Sequence, residues 1–189
     1  HSVNSSADAA ARLHVVETLP ADTTPLEAER AVLFVHGATY PGLSFDLAVP
    51  GYNWMDYVAA RGFAAYAVDI RGYGSSSRPR EMAGPAGEAK PVMRAPEAVR
   101  DILDAVDFIR RRTGVTRVNL IGWSWGTVTA GAFAAEYPTM VERLVLYAPV
   151  YSLYMPERLK AFHLADPEDE SRFNPAIGAY RTVDGAGIR

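Results

Sequence analysis

Four short apolar runs limit what this chain can fold into. They are residues 31–35 (AVLFV), 64–70 (AAYAVDI), 117–123 (RVNLIGW) and 143–148 (RLVLYA). None alternates polar with apolar, so each reads as a strand covered on both faces, the pattern of a parallel sheet between helical layers. An earlier stretch, 13–19 (LHVVETL), is expected as an edge strand. The fold class is therefore α/β, a mostly parallel sheet flanked by helices.

The gaps between these runs carry helical signals. Asn53 can cap a helix reaching Arg61, with Asp56 in its first turn and Gly62 at its end. From Pro96 to Thr113, Val99, Ile102, Leu103, Val106 and Ile109 form an apolar stripe. Asp101 and Asp104 near its start and Arg110, Arg111 and Arg112 at its end suit the helix dipole. A third helix is expected from about Ser124 to Tyr137, rich in small residues that allow close approach to a sheet. Two irregular segments, 38–51 and 71–95, are rich in Gly, Pro and Ser, and loops of this length are often functional.

Composition removes several function classes. The chain has no cysteine, so it has no disulfide, thiolate nucleophile or Cys-ligated metal. Its 19 basic and 22 acidic residues give a formal charge of −3, which makes no electrostatic case for nucleic acid or an anionic membrane. No apolar stretch approaches the roughly 20 residues of a membrane helix. Residues 1–12 (HSVNSSADAAAR) lack the apolar core of a signal peptide, and His1 in place of Met points to a processed or tag-derived start. A soluble protein is expected, cytoplasmic or periplasmic/secreted after processing.

The chemically informative stretch is Gly122-Trp123-Ser124-Trp125-Gly126, a G-x-S-x-G between an apolar strand and the small-residue helix. A nucleophilic serine there projects from a tight, strained turn that leaves no room for side chains two residues to either side. The helix that follows points its first amides toward the place where an oxyanion would form. Two other strand ends accompany it. His36-Gly37-Ala38 follows the 31–35 run, and Asp69-Ile70-Arg71-Gly72-Tyr73-Gly74-Ser75-Ser76 closes the 64–70 run. Taken singly, His36 reads as a satisfied structural histidine, and Asp69 with Arg71 as a local loop-fixing pair.

In this order the three motifs resemble the α/β-hydrolase family, in its serine-esterase branch, over about residues 13–150. The resemblance implies that Ser124 is the nucleophile and that the backbone N–H groups of Ala38 and Trp125 form an oxyanion hole. It also implies a structural role for His36 and no metal or other cofactor. Dehalogenase and epoxide-hydrolase branches carry Asp where Ser124 stands, so the serine argues for acyl chemistry. The family also needs an acid and then a histidine after the nucleophile. Here His163 is the only histidine beyond Ser124, and Asp166, Asp169 and Asp184 all follow it.

The expected division is therefore 1–148 as the N-terminal part of a hydrolase core and 149–189 as the start of a lid or cap. The 143–148 strand would otherwise be an exposed apolar edge, which soluble proteins avoid. A serine without a base is a poor nucleophile. The fold is thus expected to be incomplete in this chain, with the Asp or Glu and the His of the triad on a C-terminal fragment present as a second chain. Tyr40, Trp123 and Tyr151 are the expected substrate-binding residues, with Phe45, Trp125, Tyr154 and Met155 nearby, and they suit an apolar or aromatic group. The expected reaction is hydrolysis of a small-molecule carboxylic ester or related acyl bond. Acyl transfer or perhydrolysis at the same site, and a non-catalytic binding protein on this scaffold, are the alternatives.

Overall fold

The computed structural model describes residues 1–21, 29–150 and 177–182. Among these, six strands form one sheet: β1 (Ser2–Asn4), β2 (Arg12–Thr18), β3 (Ala31–Val35), β4 (Ala64–Val68), β5 (Val118–Trp123) and β6 (Val141–Tyr147). Their spatial order is β1-β2-β4-β3-β5-β6. β1 pairs antiparallel with β2, and β2 antiparallel with β4, while β4, β3, β5 and β6 run parallel. The helices are α1 (Trp54–Ala59), α2 (Ala95–Thr113) and α3 (Trp125–Glu136).

The continuous apolar runs behave as double-sided burial requires. Every residue of β3 and β4 is buried. Leu33 and Val35 of β3 face a core group that includes Val99, Ile102, Val106 and Ile109 of α2. Val32 and Phe34 point the other way, into a group with Phe45 and with Met55 of α1. At roughly 1.5–3 kcal/mol for each large side chain fully buried, these two groups dominate what holds the sheet between its helices.

The local caps follow from single residues. Asn53 Oδ1 accepts the Asp56 N–H at 2.9 Å, opening α1, while Asn53 Nδ2 donates to Asp46 Oδ1 at 2.8 Å. α2 starts at Ala95, and the Glu97 carboxylate accepts the Arg94 N–H at 3.2 Å. Gly114, at φ 80°, closes that helix by donating its N–H to the Arg110 carbonyl.

Three sequence expectations are corrected. The 13–19 stretch is not an edge strand, because β1 pairs along its outer side. β1 has only three residues, and Val3 alone among them is buried, so it carries no periodic signal. Asp101 does more than favour the helix dipole. It is fully buried, and its carboxylate accepts both the Arg71 backbone N–H at 2.9 Å and Nε at 2.7 Å. Arg71 and Asp69 therefore each fix a loop, but not through one another. Burial pushes the Asp101 carboxyl up to about 6, against the pull of Arg71.

β6 ends the sheet with its free edge uncovered among the described residues. Leu144, Val145, Leu146 and Tyr147 are 37 to 50% exposed, in contrast to the buried strands at the centre.

The Arg71–Asp101 pair ties the loop after β4 to the middle of α2, and removing its cation leaves a buried carboxylate without a counter-charge, held only by the backbone N–H of residue 71. Arg71→Leu is expected to lower stability by about 3–5 kcal/mol, measured by equilibrium urea unfolding at neutral pH.

Candidate active site

Ser124 sits between β5 and α3 at φ 52°, ψ −118°, a backbone conformation that side-chain-bearing residues adopt only under constraint. Its N–H donates to the Tyr147 carbonyl at 3.0 Å, tying the turn to the end of β6. Its carbonyl accepts both the N–H of Thr127, at 2.9 Å, and the Thr127 hydroxyl, at 2.6 Å. Thr127 Oγ1 in turn receives the Val150 N–H at 3.1 Å.

The two flanking glycines are required by distance. A Cβ on Gly122 would stand 2.4 Å from the Gly126 carbonyl oxygen, and one on Gly126 would stand 2.2 Å from the Val35 oxygen. Both obstacles are backbone, so neither can swing aside. This contact pushes the start of α3 against the end of β3 and brings the next loop to the serine. A Cβ on Gly37 would be 3.1 Å from the Ser124 Cβ, so Ala38 follows a residue that abuts the elbow. Neither the Ala38 nor the Trp125 amide donates to a carbonyl in the turns and loops described.

His36 is fully buried, and both of its ring nitrogens are used. Nδ1 donates to the Gly37 carbonyl at 2.8 Å, and Nε2 accepts the Ile70 N–H at 3.1 Å. These partners require the neutral ring, and burial holds its pKa below the usual histidine value. His36 thus clamps the end of β3 to the end of β4, as its sequence context suggested, and it is not free to act as a base. His14 bonds Asp69 at 3.1 Å, and His1 bonds Glu17 at 2.8 Å. None of the three described histidines hydrogen-bonds the serine. His163, Tyr151, Tyr154, Met155, Asp166, Asp169 and Asp184 lie outside the described residues.

Asp69 joins two loops. Its Oδ1 accepts the Gly42 N–H at 2.7 Å and its Oδ2 the Ser75 N–H at 2.9 Å. The serine-side loop and the loop after β4 therefore share one carboxylate. Tyr73 packs on both arms of the site. Its ring centroid is 4.6 Å from His36 and 6.1 Å from Trp125. Nothing in the sequence except its place in R-G-x-G could have marked it.

Two hollows flank the 38–41 loop. One, of about 510 Å3, is lined by Tyr40, Phe45, Trp54, Trp123 and Tyr147. The Tyr40 and Trp123 rings stand 5.3 Å apart, and those of Trp54 and Tyr147 also 5.3 Å. The structure thus brings together two of the three aromatic residues expected to bind substrate. The other hollow, of about 530 Å3, opens beside Ala38, Thr39 and Tyr73. Among the described residues no group of three or more His, Cys, Asp or Glu side chains is placed to hold a metal ion, and no helix is long and apolar enough to cross a membrane.

Comparison with known proteins assigns this arrangement to a family. The family model for the alpha/beta hydrolase fold matches residues 30–179. The chain belongs to the α/β-hydrolase family. A serine hydrolase of Homo sapiens is 36% identical over 85 residues, covering 45% of this chain and 25% of that protein. Epoxide hydrolase 1 of Caenorhabditis elegans is 29% identical over 136 residues, covering 71% of this chain and 27% of the relative. The solved epoxide hydrolase of Vigna radiata superposes with a TM-score of 0.59 at 21% identity, over 83% of this chain and 40% of the other. An esterase from Exiguobacterium antarcticum gives 0.54 at 18% identity, over 77% and 43%. The chain spans well under half the length of these relatives, so it carries part of the hydrolase fold.

The His36 clamp makes a pH prediction. A histidine whose folded pKa is depressed binds fewer protons folded than unfolded, so the stability it contributes is present above about 6.5 and is lost as the pH falls below that. The Asp101 carboxyl, raised to about 6, pulls the opposite way, so the His36 contribution is read as the difference in urea midpoint between the native chain and His36→Gln, which should shrink from pH 7.5 to 5.5. His36→Gln should be less stable at pH 7.5, by about 1–2 kcal/mol.

Proposed function

We propose that this α/β hydrolase is a cofactor-independent serine hydrolase that cleaves a carboxylic ester or related acyl bond. The observation that carries the reading is Ser124 at φ 52° on the β5–α3 turn, with the Gly37–Ala38 loop pressed against it. In the reaction Ser124 Oγ attacks the carbonyl carbon while a histidine takes its proton. The amides of Ala38 and Trp125 receive the developing oxyanion, a contribution of about 3–4 kcal/mol per donor. Collapse expels the alcohol, which takes the proton back, and water then releases the acid from the acyl-serine.

Relatives named epoxide hydrolases share the fold, but position 124 carries a hydroxyl, and a hydroxyl activated by a neighbouring base suits attack on an acyl carbon. The aromatic hollow between Tyr40 and Trp123 suits an apolar or aromatic part of the substrate.

The base and its acid are assigned to a C-terminal fragment of the same protein, present as a separate chain. Two features support a base and acid that lie outside the described residues. The ring nitrogens of His36 are both engaged within the fold, and His14 bonds Asp69 through Nδ1 and His1 bonds Glu17 through Nε2. Among the described residues β6 also presents half-exposed apolar side chains at an uncovered sheet edge, which a further strand and its helix would bury. Intact-mass analysis of active material should show two polypeptides. A single species of this chain's mass, 20.6 kDa, would overturn the two-chain assignment.

The catalytic reading is tested by a fluorophosphonate probe with peptide mapping, alongside turnover of a 4-nitrophenyl ester. Label is expected on Ser124, and Ser124→Ala should lower kcat by at least about 10³-fold with the urea midpoint unchanged. A variant that keeps its turnover ends the nucleophile assignment.

A further inference from the structure

The second hollow differs in chemistry from the aromatic one on the other side of the 38–41 loop. It shares Ala38, the residue assigned to the oxyanion hole, and it also takes in Tyr73, Arg78 and Arg181. Among the described residues its lining holds two arginines and no carboxylate.

The arginines sit on segments that the fold holds in place. Arg78 follows the Gly72–Ser77 turn, in which the Gly72 N–H donates to the Ser77 carbonyl at 3.0 Å, and whose Ser75 amide is held by Asp69. The described residues offer its guanidinium no hydrogen-bond or ion-pair partner. Arg181 lies on the 177–182 segment, which is fastened to the turn around Ala86. The Ala179 N–H donates to the Ala86 carbonyl at 2.7 Å, and the Tyr180 hydroxyl to the Gly84 carbonyl at 3.1 Å. Gly178, at φ 59°, permits that approach, since a Cβ there would stand 2.4 Å from the Ala86 oxygen. Thr39 and Thr182 add hydroxyl groups to the same wall.

We propose that this hollow receives a carboxylate on the substrate, so that the ester cleaved at Ser124 joins an apolar part, held by the aromatic hollow, to an acidic part held by Arg78, on a wall that Arg181 also lines. The inference rests on the hydrolase reading of Ser124 for its substrate, but not for its binding site. A guanidinium offers two parallel N–H donors to a carboxylate, a geometry that a neutral ester of the same length cannot exploit.

Binding and turnover are therefore measured separately in the full protein. Calorimetric titration of the Ser124→Ala form with monomethyl glutarate and dimethyl glutarate should show the acid bound about tenfold more tightly. Arg78→Gln, alone or with Arg181→Gln, should bring the two affinities together, and raising the salt concentration should do so in part. Equal affinities, no binding of the acid, or a preference that survives both substitutions overturns the proposal. In the second arm, kcat/KM for the 4-nitrophenyl monoester of glutaric acid is compared with that for 4-nitrophenyl pentanoate. A preference for the acid that falls in Arg78→Gln through KM supports the carboxylate site. Selective binding with no turnover of either ester leaves the anion site standing and sinks the hydrolase reading.

Discussion

Everything chemical in this molecule depends on one backbone contact, the start of α3 against the end of β3. Gly126 lies so close to the Val35 and His36 carbonyls that no side chain fits between them. That approach fixes where the β5–α3 turn stands relative to the loop after β3. It sets the serine at its strained dihedral angles, and it brings the first turn of α3 beside the loop that begins at Gly37. Strain at a single residue persists only where its surroundings over-determine it. Here they do so through the Tyr147 and Thr127 hydrogen bonds and the two glycines.

The support for that contact is polar and buried, and it is divided among three anchors, the last of them a pair, with separate duties. His36 joins the ends of β3 and β4, Asp69 joins the loops that follow them, and Arg71 with Asp101 joins the second loop to α2. Each is satisfied on several atoms, as burial of a polar group demands. A scaffold of this kind holds loops rigidly without regular secondary structure, which is what a reacting centre on strand ends requires.

The central sheet was legible because strands covered on both faces leave uninterrupted apolar runs, and β3, β4 and β5 fall where those runs lie. The serine turn was legible because its glycines are imposed by close approach, a constraint that leaves a mark within five residues. What escaped detection lacked a local mark. β1 is three residues long, and β2 looked like an edge because nothing in its own pattern reports a partner beyond it. Asp101 read as a dipole-matching charge on an amphipathic helix, since its true partner is 30 residues away in the chain. Tyr73 offered only a ring in a glycine-rich loop, and its contact with both His36 and Trp125 exists only in three dimensions.

The sharing of Asp69 between two loops has an evolutionary consequence. The segment that begins the aromatic hollow and the segment that carries Arg78 hang from opposite oxygens of one carboxyl group. A change that resizes either recess pulls on the same anchor and so disturbs its neighbour. Preferences for the two ends of a ligand would then tend to drift in concert across a lineage, and exchanging one loop between homologues without the other would carry a penalty.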